Sequence, residues 1–360
     1  MKNEKSIKKR KECPAGEKDL PDIVRKNEPE AMRSKLQQVN FTPRNLHGTG
    51  QARPLCLLHF SDIHGDEKRL GRVLDFAAYY REYIRDVLHT GDSLPFEGQG
   101  GSACLGHLPG SEAILNVIGN HDVVTGENGP GFSMEESYQA YFAPYIENWG
   151  VVYEEGKTFY YKDYPENRIR LIVLDVIHQT EAQLAWFTNV LRDSRENRYH
   201  VLIALHARAH WSLDSIAESA WDDKPVVPWY EDGDRDSSAS SQPDNLSDSY
   251  AKAVDAFLDE GGRFIAWIHG HVHFKMLATL SDHPRQLDIA VGTAAGAGYA
   301  WEFISARIEG TQSEDNFNIL VADTETGMLR LLKVGVAYDY CARHIDTCCY
   351  DYVNHCIVSK

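Results

Sequence analysis

The sequence predicts an α/β chain: apolar runs of strand length alternate with stretches of helical period, and the runs break off at glycine-flanked polar loops. LCLLHFSD (residues 55–62) is the first such run. Leu70, Val73, Leu74 and Ala77 follow at the i, i+3, i+4, i+7 spacing of one helix face. DVLHTGD (86–92) and EAILNVIGNHD (112–122) are the next two runs, with a glycine-rich stretch over 93–112 between them. Strand, helix, strand, loop, strand places the polar loops together at the carboxyl ends of the strands.

The rest continues the pattern. Residues 123–149 read as a glycine-rich loop and then a helix over 134–142, followed by strands at 158–162 and 169–175. Thr180 and Gln183 have the spacing of a capping box, ahead of Leu184, Phe187, Val190 and Leu191 on one helix face. HVLIALH (200–206) is a buried strand. Residues 207–248 break the rhythm, being acidic, rich in Pro and Ser and punctuated by Trp211, Trp221 and Trp229. A loop that long is usually functional or disordered, and its tryptophans suggest a lid that packs in part. Ala251, Val254, Phe257 and Leu258 mark a helix stopped by Gly261 and Gly262. RFIAWIHGHVH (263–273) is a strand entering a loop, and short strands follow: KMLATL, QLDIAV, and a hairpin of FNILVAD and LRLLKVG turned by TETG.

Composition excludes some classes. The 360 residues carry a formal charge of −16, yet residues 1–50 hold 12 Lys/Arg against 7 Asp/Glu, so the remainder is more acidic still. Such a body repels duplex DNA, and a nucleic-acid partner is not expected. No run of 18 apolar residues is present, which excludes a membrane-spanning helix. The basic N-terminus lacks the apolar stretch of a secretory signal, so a cytoplasmic chain with reduced thiols is expected from the odd count of seven cysteines. The expected organisation is a flexible basic arm over 1–50, a body over 51–335 containing the 207–248 insertion, and a Cys/Tyr-rich tail over 336–360 that packs on the body. Cys341, Cys348, Cys349 and Cys356 lack zinc-ribbon spacing and read as reduced thiols.

The chemistry lies at the run ends. SDIHGD offers Asp62 and His64, TGD offers Asp92, and GNHD offers Asn120, His121 and Asp122. LHARAH offers His206, and HGHVH offers His271 and His273. This ordered set resembles the calcineurin-like metallophosphoesterase family, whose pattern reads D-x-H, G-D, G-N-H-D/E, H, G-H-x-H, and the resemblance spans about residue 55 to residue 335. It implies a four-layer α/β/β/α sandwich, two mixed sheets face to face with helices outside. It also implies two divalent metal ions, with Asp92 shared between them. Asp62, His64 and His273 would complete one site, and Asn120, His206 and His271 the other. Every ligand is nitrogen or oxygen, which suits Mn, Fe or Zn alike. Two such ions roughly 3.5–4 Å apart would acidify a bridging water and neutralise phosphoryl oxygens. His121, whose side chain diverges from that of Asn120 on an extended segment, is the expected general acid, with Asp122 fixing its tautomer. Pro95 stands where purple acid phosphatases have a metal-binding Tyr and many family members an Asp.

Nearby polar residues have plainer readings. His59 and His269 are expected as hydrogen-bonded core or rim groups, Arg208 and His210 as loop surface, and Asp66 as the acid starting a helix. The resemblance implies a metal-dependent hydrolase of small phosphorylated substrates, with monoester and diester, including cyclic nucleotides, both open. The rival class is an interaction module that reuses the scaffold without catalysis.

Overall fold

A computed structural model of the chain describes residues 20–40, 54–93, 110–123, 131–207, 216–219, 246–271, 273, 275–280, 282–295, 308–311, 314–335 and 347–359. The strands, in chain order, are β1 (Leu55–Phe60), β2 (Asp86–His89), β3 (Leu115–Asn116), β4 (Val152–Tyr153) and β5 (Tyr160–Tyr164). Then come β6 (Ile169–Val173), β7 (His200–Ala204), β8 (Ile216–Ser219), β9 (Arg263–His269) and β10 (Met276–Leu280). The series closes with β11 (Leu287–Ala290), β12 (Asn316–Asp323), β13 (Met328–Gly335), β14 (Thr347–Asp351) and β15 (Cys356–Ser359). The α-helices are α1 (Asp22–Lys26), α2 (Pro29–Asn40), α3 (Glu67–Tyr79), α4 (Asn120–Val123), α5 (Met134–Tyr141), α6 (Glu181–Glu196) and α7 (Asp248–Asp259).

Seven strands form one sheet in the order β15-β14-β13-β12-β1-β2-β3, and eight form the other in the order β4-β5-β6-β7-β9-β11-β10-β8. Both are mixed. β1 runs parallel to β2 but antiparallel to β12, and β6, β7, β9 and β11 run parallel while β5 opposes β6.

The period of two along each strand assigns the layers. Leu55 and Leu57 of β1, Leu320 of β12 and Leu331 of β13 share one core with Leu171 of β6, Leu202 of β7 and Ile289 of β11, so the two sheets pack face to face. The alternate residues Cys56, Leu58 and Phe60, with Ile319 and Val321, face outward onto Leu70, Val73 and Phe76 of α3. On the far side Ile172, Val201, Ile203 and Trp267 meet Phe187 and Leu191 of α6 and Tyr250, Val254 and Phe257 of α7. This is the expected α/β/β/α sandwich. A register shift between Val201 and Leu202 against β9 lets Ile265 and Ala266 both face the inner core.

Residues 20–40 depart from expectation. They are not a free arm: Ile23, Val24, Met32 and Leu36 are buried in the outer core beside α3. Pro21 precedes α1 and Pro29 opens α2, the start positions where a missing N–H costs nothing. Arg33 of α2 pairs with Glu82, and further ion pairs fix α1 in place. Arg72 of α3 grips Asp315 through two hydrogen bonds of 2.7 Å and reaches Asp22 at 2.7 Å. Lys26 meets Glu314 at 2.9 Å and Arg69 meets it at 2.7 Å. The rest of 1–50 lies outside the described residues, as does the 207–248 insertion except for residue 207, β8 and residues 246–248.

Two smaller differences concern caps and the tail. Thr180 accepts from the Gln183 N–H, but the Gln183 side chain turns to the Asp175 backbone and the Tyr250 hydroxyl, so the box is half formed. The complete box is Ser133 with Glu136 at the start of α5. In the tail, β14 and β15 extend the first sheet, with Cys348 and Tyr350 in the inner core and Cys349 and Cys356 as free thiols. Tyr352 hydrogen-bonds His200, which opens β7. Among the described residues no helix is long and apolar enough to cross a membrane.

The α1 clasp sets an acid sensitivity. Burial works against the charge on Glu314, but Lys26, the Gly310 N–H and the neighbouring arginines outweigh it and hold the carboxyl down at about 2, against 4.5 ordinarily. A depressed folded value stabilises above the unfolded one, and that stabilisation is lost as pH falls from about 4.5 toward 2. Hydrogen exchange across residues 22–36 should therefore accelerate in this window, and Glu314→Gln should exchange faster at neutral pH with a weaker dependence on acid.

Candidate metal centre

Every side chain in the expected ligand set follows the carboxyl end of a strand, on a loop or, for Asn120, at the start of α4. β1 leads to Asp62 and His64, β2 to Asp92, β3 to Asn120, β7 to His206, and β9 to His271 and His273. The loops are knitted together by backbone bonds. Asp62 N–H donates to Gly91 O, His64 N–H to Asp92 O, and Gly65 N–H to Ser93 O, all at 2.9–3.0 Å.

The backbone itself is unusual here. Asp62, His64, Asp92, His271 and His273 all have left-handed φ values, between 45° and 67°. Asp and His tolerate this region better than most residues, yet each such position still costs on the order of 1 kcal/mol. Left-handed turns lift these side chains off the strand direction and aim them at a common point.

The glycines of the motifs are there for space. A Cβ on Gly119 would overlap the Asp92 carboxylate, one on Gly270 would overlap Ser61 and Asp62, and one on Gly91 would lie 2.5 Å from His206 Nδ1. Each glycine precedes a proposed ligand and lets another loop pass against it.

The donor atoms fall into two groups. Asp62, His64, Asp92 and His273 form one, and Asp92, His206 and His271 the other, with the donor atoms of each within 4.8 Å of one another. In the first, His64 Nε2 lies 3.2 Å from His273 Nε2, which lies 3.3 Å from Asp62 Oδ1. In the second, Asn120 Oδ1 lies 2.9 Å from His206 Nε2 and 3.1 Å from His271 Nδ1, and Asp92 Oδ2 is 3.3 Å from His206 Nε2. Ligands about 2.1 Å from one cation sit about 3.0–3.4 Å from each other, so these spacings fit a bound ion. Nitrogen facing nitrogen at 3.2 Å, twice over, is the arrangement of imidazoles that share a cation.

The buried Asp92 carboxylate draws positive charge to this point. Burial opposes the charge on His206, but the Asp92 carboxylate overrides it and pulls the imidazole up to about 10. Burial, then charged His206, pushes His271 down to about 3, and burial takes His64 to about 4. Burial likewise works against the Asp92 carboxylate, yet His206 and the other surrounding imidazoles hold it well below the usual range. His206 Nδ1 donates to Thr90 O at 2.7 Å, which leaves Nε2 to face the cluster.

His121 and Asp122 sit one step away. Residues 120–123 close as the single turn α4 rather than an extended end, and on a helix adjacent side chains still diverge. His121 Nε2 is 3.9 Å from Asp92 Oδ2, and its ring stands edge-on to His64 with centroids 5.0 Å apart. Its backbone N–H donates to Asp92 Oδ1 at 3.0 Å. Asp122 is fully buried, and its carboxylate accepts from the backbone N–H groups of Asp92, Ser93 and Gly119. Burial, then the Asp92 charge, raises Asp122 to about 7.

Sequence reasoning missed several supports. The Thr90 carbonyl orients His206, Thr293 Oγ1 donates to Asp62 O at 2.6 Å, and the Tyr141 hydroxyl donates to Asp122 O at 3.3 Å. Thr90 precedes the Gly-Asp pair and Thr293 follows Gly292, so a Thr beside a motif glycine was the available sign. His59 is a buried partner of Thr90, His269 contacts Asp288, and Asp66 caps α3 by accepting from Arg69 N–H. Arg208, His210 and Pro95 lie outside the described residues.

No family model and no curated protein matches the chain. Among solved structures it is similar to a dimetal phosphatase from Danio rerio at 14% identity, covering 78% of this chain and 96% of that one, with a TM-score of 0.45. It is similar to a predicted phosphoesterase from Streptococcus pneumoniae at 11% identity, covering 82% and 97%, with a TM-score of 0.34. It is also similar to a phosphopantetheinyl hydrolase from Mycobacterium tuberculosis at 12% identity, covering 67% and 90%, with a TM-score of 0.30.

The packing around Gly119 gives a direct check. Gly119→Ala drives a methyl into Asp92, the residue both groups share. Titration calorimetry with Mn²⁺ should show affinity weakened by about 10-fold to 100-fold, the span for disturbed ligand support.

Proposed function

We propose that this chain is a phosphoesterase working with two divalent cations, one held by Asp62, His64 and His273, the other by Asn120, His206 and His271, with Asp92 common to both. One observation carries the reading: two donor groups share a single buried carboxylate, and five of their members are held in left-handed backbone. A purely structural polar cluster has no need of that strain.

When bound, such ions supply the positive charge that acidifies water and neutralises phosphoryl oxygens. The chain's own residues set how much charge remains. Only Asp62 and Asp92 are anionic among the seven ligands, so two divalent ions leave a surplus of about two positive charges for an anionic substrate. An Asp at position 120 would halve that surplus, and the neutral Asn120 preserves it.

His121 lies beside the shared carboxylate but belongs to neither donor group, which suits a group that hands a proton to the leaving oxygen or holds a phosphoryl oxygen. Asp122 acts from behind. By gripping three backbone N–H groups it fixes the Asp92 and Gly119 loops against each other, and its support of His121 is delivered through that geometry. A small phosphate monoester or nucleotide is the favoured substrate class, with diesters the alternative.

Protein supplemented with Mn²⁺ should hydrolyse a chromogenic aryl phosphate or its diester, and chelation should abolish turnover. Absence of both bound metal and turnover would leave a non-catalytic binding module as the reading. Asn120→Ala should weaken one metal site, with partial rescue by excess Mn²⁺. His121→Ala should keep both metals by elemental analysis and lose about 10²- to 10⁴-fold in rate. Loss of metal from His121→Ala would overturn the assignment of His121 as a proton donor.

A further inference from the structure

A second polar assembly sits at the carboxyl end of β6, beside the strand that delivers His206, and the chemistry above leaves it unused. Asp175 is fully buried there, and both its oxygens are engaged. Oδ1 accepts from the backbone N–H groups of Ile177 at 2.8 Å and His178 at 2.9 Å. Oδ2 accepts from the Thr158 hydroxyl and lies 2.8 Å from His178 Nδ1. The other ring nitrogen, Nε2, lies 3.0 Å from the carbonyl oxygen of Phe132.

A carboxylate loaded with donors and a peptide carbonyl can only accept. Both contacts are satisfied together only by an imidazolium, which donates in two directions. A neutral ring has one N–H and must surrender one of the two bonds.

The Phe132 end of this contact leads toward the metal centre. The Phe132 ring packs on the Tyr141 ring with centroids 6.4 Å apart, and the Tyr141 hydroxyl donates to Asp122 O at 3.3 Å. Asp122 in turn holds the backbone N–H groups of Asp92, Ser93 and Gly119. We propose that His178 is a positioning residue whose doubly donating, charged ring fastens Phe132 to Asp175 and so seats Tyr141 and Asp122 behind the shared Asp92. Its effect on turnover rests on the phosphoesterase reading. Its charge state and its grip on Phe132 do not.

Asp175 is the charged group facing the ring; Thr158, Gln183 and the Phe132 carbonyl are neutral. Burial disfavours the charge on His178, but the Asp175 carboxylate outweighs it and raises the group above its ordinary 6.5. A raised folded value means the stabilisation is complete below about 6.5 and is lost as pH climbs through the folded value.

Three measurements test the proposal. Imidazole ¹⁵N chemical shifts of the intact protein should show His178 doubly protonated at pH 7, and a neutral ring there would overturn the assignment. The Tm gap between the native chain and His178→Gln should be widest near pH 6 and shrink as pH rises toward 10, and a gap independent of pH would overturn the fastener. With Mn²⁺ and an aryl phosphate, His178→Gln should lower kcat by about 3-fold to 30-fold with KM little changed. Adding Tyr141→Phe should cost much less in the His178→Gln background than alone. Fully additive losses would overturn the route through Tyr141. If the native chain hydrolyses no phosphate ester, the nitrogen shifts and the Tm gap still decide the state of His178, so failure of the enzyme reading is distinguishable from failure of this one.

Discussion

Everything at the metal centre depends on Asp92 holding one position while serving two groups of donors. A carboxylate on a free loop could not do so, because a rotation of a few tens of degrees would withdraw it from one group or the other. Here its backbone N–H is bonded to Asp122, its carbonyl accepts from His64, and its Oδ1 takes the His121 N–H. That leaves Oδ2 directed at His206, with His64 and His121 Nε2 each about 4 Å away. Position is set by the main chain of three loops, and chemistry is left to the remaining oxygen.

The same constraint explains where conformational strain is stored. Left-handed residues are scarce in ordinary strands, and a cluster of five at one point is tolerable only where the surroundings over-determine the conformation. The inner and outer cores supply that excess, because β1, β3, β7 and β9 are buried over most of their length and cannot relax the loops they carry. Glycines at 91, 119 and 270 complete the arrangement by letting loops touch where any side chain would part them.

Legibility in the sequence followed the range of the interaction. The alternation of strands and helices and the polar residues at run ends are local signals, and the sandwich and its two donor groups could be anticipated from them together with a family resemblance. α1 and α2 were hidden because their burial needs only four apolar residues set among charges, and the partner of α1, Arg72, lies far along the chain. β14 was hidden because cysteine and tyrosine, rather than Val, Ile or Leu, fill its inward positions, and β15 because, among its described residues, only Ile357 packs on the inner core. Gln183 shows the limit of local rules: its spacing after Thr180 suits a capping box, but a buried Asp175 backbone claims its side chain instead. The bond from His178 to Phe132 joins residues 46 apart and leaves no trace in composition or period.

The way the chain is divided between the sheets bears on how the molecule comes into being. The eight-stranded sheet is drawn from one continuous stretch, β4 to β11, and can assemble as it leaves the ribosome. The seven-stranded sheet takes β1–β3 from the early chain and β12–β15 from its end, so one edge of β1 waits for β12. Contacts so distant in sequence are slow to form. Loops from both sheets thus meet late in folding, and the two donor groups are assembled only after β12 has reached β1.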